Sequence, residues 1–485
     1  MLFNSLDFAI FLPIVFILYW FVTNRNLTLQ NVLIVAASYV FYGWWDWRFL
    51  SLIVFSTLVD YSVGLKLKDE ANKFKRKVLL WVSIIVNLGF LGVFKYYNFF
   101  LDSLYEVAPG LQTVLGFNTL DIILPVGVSF YTFQTLSYTI DVYRKKLEPT
   151  KSLIDFAAFV AFFPQLVAGP IERASHLLPQ FYAPRQFKFI NLQFGFIRIL
   201  WGLFKKVVIA DRLAILVDSV YQSPADFGGI HFIIASVLFA FQIYCDFSGY
   251  SDIAIGTARL FGFKLMENFR SPYFSKSLGE FWRRWHISLS TWFRDYVYIP
   301  LGGSKVATKR VYLNLMIVFV VSGFWHGAAW TFIIWGALHG SILILEHLFT
   351  GRKALFNNAP ALLVNTLKVL AVFSVTTFAW IFFRANTTAD AFYIVQHLFD
   401  FSEPLAQNLR GMTLYLGGPL WKLLASFLLV GLLLLVEYSV TKEKISEQII
   451  IKQKPLIRWS LYTSMVVFIL LFGSFEVDQF IYFQF

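Results

Sequence analysis

Apolar runs follow one another along this chain, each about as long as a bilayer is thick. About 20 helical residues span the 30 Å hydrocarbon core. Because run after run reaches or approaches that length, the pattern predicts roughly ten to twelve transmembrane helices and an all-α polytopic membrane protein. The runs cover residues 6–23, 29–45, 49–65, 78–97, 119–140, 189–220 (interrupted), 230–262, 311–349 (two passes), 362–383, 418–440 and 459–475.

Two long stretches break this pattern because they are too polar or too interrupted for simple spans. They are residues 153–188, with Phe163-Pro164-Gln165 and Ala168-Gly169-Pro170, and residues 264–310. Irregular backbone survives at membrane depth only when it is buried in protein or lines a wet cavity. We therefore predict re-entrant or interfacial helices in both stretches.

Basic residues crowd three loops and predict the orientation of the chain. The clusters lie at Lys66–Lys77, Arg144–Lys151 and Lys442–Arg458. Cytoplasmic loops carry the excess of lysine and arginine in membrane proteins. The N-terminus is then outside, the two passes of residues 311–349 begin and end inside, and the C-terminal tail emerges outside.

Composition supports the membrane assignment. Of 485 residues, 58% are hydrophobic and only 14% are charged, against about 25% charged in soluble domains. The net charge of +12 is explained by basic loops, and no nucleic-acid motif accompanies it. The single cysteine, Cys245, excludes an internal disulfide and a cysteine-rich metal site. Residues 8–22 are predicted to be a retained first span, since no positive region precedes them.

One apolar run carries a histidine among small residues, Gly323-Phe324-Trp325-His326-Gly327-Ala328-Ala329-Trp330. Histidine is costly in hydrocarbon and is retained there with a partner or a function. Its imidazole moves protons near neutral pH, and small neighbours let a backbone or a substrate approach. We interpret His326 as a candidate buried base; a structural hydrogen bond is the alternative.

A second block, Glu280 to Asp295, interleaves tryptophan and arginine and contains His286. Arginine binds phosphate in a bidentate fork and aromatic rings stack bases, so the block suits an anionic donor such as a coenzyme A thioester. By composition alone, an interfacial amphipathic helix on anionic lipid is the favoured explanation of the same residues.

Two further segments stand out. Asp246 and Asp252 lie six residues apart in Tyr244–Asp252, an apolar neighbourhood. Either one of them orients a histidine or caps a broken helix while the other pairs with an arginine, or both merely satisfy buried donors or pair with cations. The tail Asp478–Phe485 is an aromatic interface anchor or an element whose Tyr482 hydroxyl reaches a cavity from outside. Histidines and carboxylates show no metal-binding spacing, so no metal is predicted.

Together these blocks resemble the membrane-bound O-acyltransferase family, in its bacterial alginate O-acetyltransferase branch. The resemblance runs over essentially the whole chain. It rests on Phe281–Trp292, Tyr298–Gly303, Gly323–Gly327, Asp246–Gly256, Phe163–Ile171 and Phe480–Phe485.

The resemblance implies a single membrane domain over residues 1–485, a ring of helices around a central tunnel. Its parts would be N-terminal helices to about 150, a catalytic core at 151–350 and C-terminal helices from 351. His326 matches the family's catalytic histidine, His286 the assisting position, and Tyr482 a proposed outer acyl carrier. Acetyl-CoA is the expected donor substrate and no permanently bound cofactor is expected. The residues expected to bind that donor are Arg283, Arg284, Trp285 and Trp325.

The expected activity is acetyl transfer across the bacterial inner membrane, with a periplasmic or membrane-tethered SGNH-type partner that acetylates a polysaccharide. An alginate-like polymer and peptidoglycan are both open as acceptors. D-alanyl transfer to teichoic acid is an alternative within the same fold. A transporter, which would favour internal repeats that are not evident here, and a non-catalytic scaffold are alternatives from other classes.

Overall fold

The computed structural model describes residues 1–167, 169–349, 360–401, 421–475 and 480–481. Helices and loops make up this part of the chain, and no strand occurs in it. The all-α prediction is therefore confirmed. The fold divides into two compact units, one of residues 1–199 with 253–266 and one of residues 200–252 with 267–485.

The first unit is built from twelve helices among the described residues. They are α1 (Leu6–Ile17), α2 (Leu27–Asp46), α3 (Leu50–Asp69), α4 (Lys73–Leu91), α5 (Tyr97–Val107), α6 (Gly110–Leu115), α7 (Val128–Tyr143), α8 (Leu153–Ala161), α9 (Phe163–Leu166), α10 (Ala174–Leu177), α11 (Pro179–Tyr182) and α12 (Phe189–Leu203). The last four residues of α12 belong to the second unit.

Helix α7 is buried along almost its whole length and packs against α3 and α4. The buried Asp60 carboxylate accepts hydrogen bonds from Ser83, Asn87 and Thr139, so its oxygens are satisfied inside the bundle. The predicted run at 119–140 is helical only from Val128, because Pro125 lacks an amide donor and Gly127 is left-handed at φ 74°.

The second unit continues from the end of α12 through a π-helical segment, Phe204–Ala210. Its helices are α13 (Asp211–Gln222), α14 (Gly229–Leu260, whose last eight residues belong to the first unit), α15 (Leu278–Arg284), α16 (Ile287–Phe293), α17 (Thr308–His326), α18 (Trp330–Phe349), α19 (Ala361–Arg384), α20 (Thr388–His397), α21 (Trp421–Thr441), α22 (Glu447–Ile451) and α23 (Pro455–Phe472). The predicted interruption of residues 189–220 is thus a wide π turn in an otherwise continuous helix.

Helices α17 and α18 form a tight antiparallel pair where two passes are predicted for residues 311–349. Two glycines make the close approach possible. A Cβ on Gly323 would lie 2.2 Å from the Phe332 carbonyl oxygen, and one on Gly336 would lie 2.3 Å from the Phe319 oxygen. The small residues beside His326 therefore admit a neighbouring backbone.

Seven helical stretches of the described chain are long and apolar enough to cross a bilayer, as expected of a multi-pass membrane protein. They are Leu27–Asp69, Lys73–Val107, Gly229–Leu260, Trp330–Phe349, Ala361–Arg384, Trp421–Thr441 and Pro455–Phe472. The predicted total of ten to twelve spans remains a prediction. Residues 264–310 contain only short helices, as their broken pattern indicates.

Candidate active site

His326 is the last residue of α17 and is buried in an aromatic shell. The helix ends there because Gly327 takes an extended conformation at φ −154°. The imidazole centroid lies 5.0 Å from Trp325, 5.1 Å from Trp335 and 5.3 Å from Phe383. This shell excludes water from the ring, which strengthens any polar interaction made by a substrate there.

His286 lies in the short loop between α15 and α16, with its ring centroid 6.4 Å from that of His326. Its backbone is left-handed, at φ 43° and ψ 55°, which is uncommon for a residue with a side chain and recurs at functional sites. These histidines are forty residues apart in the sequence, and the fold of the second unit brings them together.

The tautomer of His286 follows from its hydrogen bonds. Asn268 Oδ1 accepts from the Ser288 backbone amide at 3.2 Å, so this atom is the carbonyl oxygen. The same oxygen lies 3.1 Å from His286 Nδ1, which must therefore carry the proton and donate. His286 Nε2 is then a lone-pair acceptor, and it has no hydrogen-bond partner among the described residues.

Electrostatics keep this ring neutral. His286 is fully buried, with the Phe247 ring edge-on at 4.5 Å, and it lies in the segment between the candidate spans. Burial lowers its pKa from 6.5 to about 3, because desolvation disfavours the imidazolium. His286 is thus a neutral acceptor at physiological pH.

A cavity of about 490 Å³ lies along the α17–α18 pair. Its lining comes from α15 to α18 and the segment between α16 and α17, namely Gly279, Trp282, Arg283, Leu289, Ser290, Phe293, Arg294, Tyr298, Ser304, Val311, Leu315, Val318, Phe319, Ser322, Leu343, Glu346 and His347. On α17 the lining residues recur every three or four positions from Val311 to Ser322. His326, four residues further on, continues that helical face.

The predicted donor-binding residues take different places. Arg283 lines the cavity. Arg284 instead pairs with Glu280 at 2.6 Å, one helical turn away. Trp285 and Trp325 are both buried, and the cavity lining includes neither of them.

His339 lies on α18, next to residues that line this cavity. The ring is fully buried, and neither nitrogen has a hydrogen-bond partner among the described residues. Its centroid lies 5.1 Å from Trp282 and 6.3 Å from Phe319, both of which line the cavity. A polar ring without protein partners costs stability, so His339 is a further candidate for contact with substrate.

Both predicted carboxylates of α14 pair with lysines. Lys205 lies 2.5 Å from Asp252, and Lys206 lies 2.7 Å from Asp246. Of the alternatives left open for these carboxylates, pairing with cations is the one observed.

Sequence reasoning missed these lysines, which occupy the π-helical segment, and it missed Asn268. The signal for the lysines was present as two adjacent charges inside an apolar run. Asn268 had no comparable signal, because its role depends on a contact with residues eighteen to twenty positions away.

Tyr482 lies outside the described residues. Cys245 is buried. The described parts of the chain contain no group of three histidine, cysteine or acidic side chains arranged to hold a metal ion.

The model of the membrane-bound O-acyltransferase family matches residues 144–385. The probable alginate O-acetylase AlgI of Pseudomonas aeruginosa is 42% identical over 422 residues, which cover 85% of this chain and 78% of the relative. A peptidoglycan O-acetyltransferase of Helicobacter pylori is 37% identical over 82% of this chain and 79% of its own. A teichoic acid D-alanyltransferase of Streptococcus thermophilus is 30% identical over 51% of this chain and 61% of its own.

Proposed function

This chain belongs to the membrane-bound O-acyltransferase family and is an O-acyltransferase, and we propose that it transfers acetyl groups from cytoplasmic acetyl-CoA toward a cell-surface polysaccharide. Relatives named for O-acetylation align over more than four fifths of the chain, whereas the D-alanyltransferase aligns over half. This difference favours acetate as the acyl group. The acceptor is an alginate-like exopolysaccharide or peptidoglycan.

The observation that carries this proposal is the position of the histidines relative to the cavity. The ring centroids of His286 and His326 lie 6.4 Å apart, and the face of α17 that lines the cavity continues to His326. Arg283 and Arg294 in the lining suit the phosphates of coenzyme A. A donor held there would direct its thioester toward the two rings.

The chemistry uses both imidazoles. The acceptor hydroxyl oxygen attacks the thioester carbonyl carbon while His326 takes the hydroxyl proton. The tetrahedral intermediate then collapses, the carbon–sulfur bond breaks, and the proton passes from His326 to the departing thiolate. The single proton of the hydroxyl group goes to His326, so His286, which offers only a lone pair at Nε2, can accept a hydrogen bond only from another group of the bound substrates.

The oxyanion of the intermediate still needs a hydrogen-bond donor. The indole N–H of Trp335 is buried 5.1 Å from His326, measured between rings, and has no acceptor among the described residues. It is therefore the candidate for this role. Neither step requires a metal ion.

On the outer side, Tyr482 is the proposed first acceptor. A periplasmic or membrane-tethered SGNH-type partner would then unload the acetyl group onto the polymer, and the enzyme would reside in the bacterial inner membrane. Replacing Tyr482 by phenylalanine removes only the hydroxyl. Full polymer acetylation in that variant would contradict the relay while leaving the role of His326 open.

The decisive experiment expresses wild type, His326→Ala and His397→Ala together with the neighbouring genes. His397 is the matched control, since it lies on α20 and interacts through Nδ1 with its own helix. Ester-linked acetate and D-alanine are measured on isolated cell-surface polymers. We expect acetate to disappear only in His326→Ala; equal acetate in all three strains would refute the catalytic assignment.

The donor site has its own test. Arg283→Ala is compared with Arg284→Ala, whose native guanidinium pairs with Glu280. We expect the KM for acetyl-CoA to rise about tenfold or more in Arg283→Ala, because a charge-assisted phosphate contact is lost. The Arg284 variant should change KM little, and equal KM values for both variants would contradict the placement of the donor.

A further inference from the structure

A buried ion cluster joins the π-helical segment to α14. The Lys206 ammonium lies 2.7 Å from both Asp211 and Asp246, and all three side chains are buried. Gly249 lets the segments approach, since a Cβ there would lie 2.8 Å from the Gly202 carbonyl oxygen. Two carboxylates share one lysine, so the cluster needs further hydrogen-bond donors.

The C-terminal tail supplies one of those donors. The backbone amide of Ile481 donates to Asp246 Oδ2 at 2.8 Å, while Oδ1 faces Lys206. The adjoining Phe480 ring is fully buried, with centroids 4.4 Å from Tyr250 and 5.8 Å from Phe247. The amide thus solvates a buried charge, and the ring fills an apolar recess beside it.

The recess adjoins the candidate active site. Phe247 contacts Phe480 and also meets the His286 ring at 4.5 Å. One aromatic ring therefore separates the docked tail from the second histidine.

The start of the tail is held by the same region of the second unit. The Ser474 amide donates to the Val207 carbonyl oxygen at 2.8 Å, and the Arg212 guanidinium donates to the Phe472 carbonyl oxygen at 2.7 Å. Two separate points of the C-terminal segment, Phe472–Ser474 and Phe480–Ile481, are thus attached to the region around the lysine cluster.

We propose that the Lys206–Asp246 pair is a docking site for the C-terminal tail, and that Asp246 acts as a positioning residue for acyl transfer. Ile481 is covalently bonded to Tyr482, the proposed acyl carrier, so docking restrains the chain at the residue before it. The docking is supported by the contacts described above. Its effect on acetylation rests on the proposed function.

Cysteine labelling tests the docking directly. Cys245→Ala removes the single native cysteine, and a reporter is then placed as Ile481→Cys or, as a control, Phe475→Cys. The side chain of Ile481 is 2% exposed and that of Phe475 is 51% exposed. In the purified full-length protein we expect a water-soluble maleimide to label position 481 at least tenfold more slowly than position 475.

Two changes release the tail by different means. Asp246→Ala removes the acceptor of the Ile481 amide, whereas Phe480→Ala removes the docked ring and leaves the lysine cluster intact. A charge-assisted hydrogen bond shifts such an equilibrium by about tenfold or more. We therefore expect each change to raise labelling at position 481 at least tenfold and, in the native-cysteine background, to lower polymer acetate. The Phe480 variant keeps the test valid if Asp246→Ala folds poorly.

The outcomes separate docking from catalysis. Fast labelling of position 481 in the parent protein, or continued protection in both release variants, would overturn the inference. Unchanged acetate in both release variants with increased labelling would overturn the positioning role. His326→Ala should leave the labelling pattern unchanged; if it also retained polymer acetate, the proposed function would fail while docking stood.

Discussion

Gly323→Ala probes how closely α17 and α18 must pack to place His326. The added Cβ would lie 2.2 Å from the Phe332 carbonyl oxygen and 3.3 Å from the Gly336 backbone nitrogen. A carbon–oxygen contact normally needs about 3.3 Å. The two backbones must therefore separate by about 1 Å, because a carbonyl oxygen in a helix cannot rotate away.

The expected change in the free energy of unfolding follows from two opposing effects. Overpacking of this kind costs up to about 3 kcal/mol, and replacing glycine by alanine in a helix recovers about 1 kcal/mol. We expect a net loss of about 2 kcal/mol. His326 lies three residues further along α17, so a shift of 1 Å there should lower turnover by up to about 100-fold.

The matched control is Gly431→Ala on α21, where an added Cβ meets nothing within 4 Å. That change should be neutral or stabilise by about 0.5–1 kcal/mol. Thermal unfolding in detergent and polymer acetate in cells measure both effects. A Gly323→Ala protein as stable and active as the Gly431→Ala control would refute the close-packing argument.

Three further outcomes follow from the site. His339→Phe should leave the thermal midpoint unchanged or higher, because it removes two buried ring nitrogens without described partners; a large drop would reveal a missing partner. Trp335→Phe should lower kcat with little change in KM for the donor, and unaltered kcat would exclude its N–H from catalysis. The pKa of His286 is 6.5 unfolded and about 3 folded, so the unfolded chain binds the extra proton. Wild type should therefore lose stability relative to His286→Gln as the pH falls from 6.5 toward 3, measured by denaturation at stepped pH.

His326 could be identified as a candidate from the local sequence pattern alone. An imidazole inside an apolar run is costly wherever the run folds, so His326 is conspicuous without any contact being known. The glycines around it predict close packing, because a residue without a side chain lets another backbone approach. Their reciprocal contacts with Phe319 and Phe332, however, require the partner helix.

The block of arginines and tryptophans from Glu280 to Asp295 shows what composition leaves undecided. Composition treats Arg283 and Arg284 alike, yet one lines the cavity and the other pairs with Glu280. Adjacent residues on a helix point about 100° apart, so their surroundings differ completely. Which of them faces the cavity depends on how α15 packs against α17 and α18.

The helical membrane architecture, the α17–α18 pair and the family could be predicted before folding, because apolar run length, glycine placement and motif order are read directly along the chain. The partners of the polar groups follow only from the folded arrangement: Asn268 with His286, Lys205 with Asp252, and Lys206 with Asp246. The Asp246–Ile481 hydrogen bond joins residues 235 positions apart. Such pairings follow from the burial of charge in a low-dielectric interior, where each carboxylate takes whatever donor the packing brings within reach.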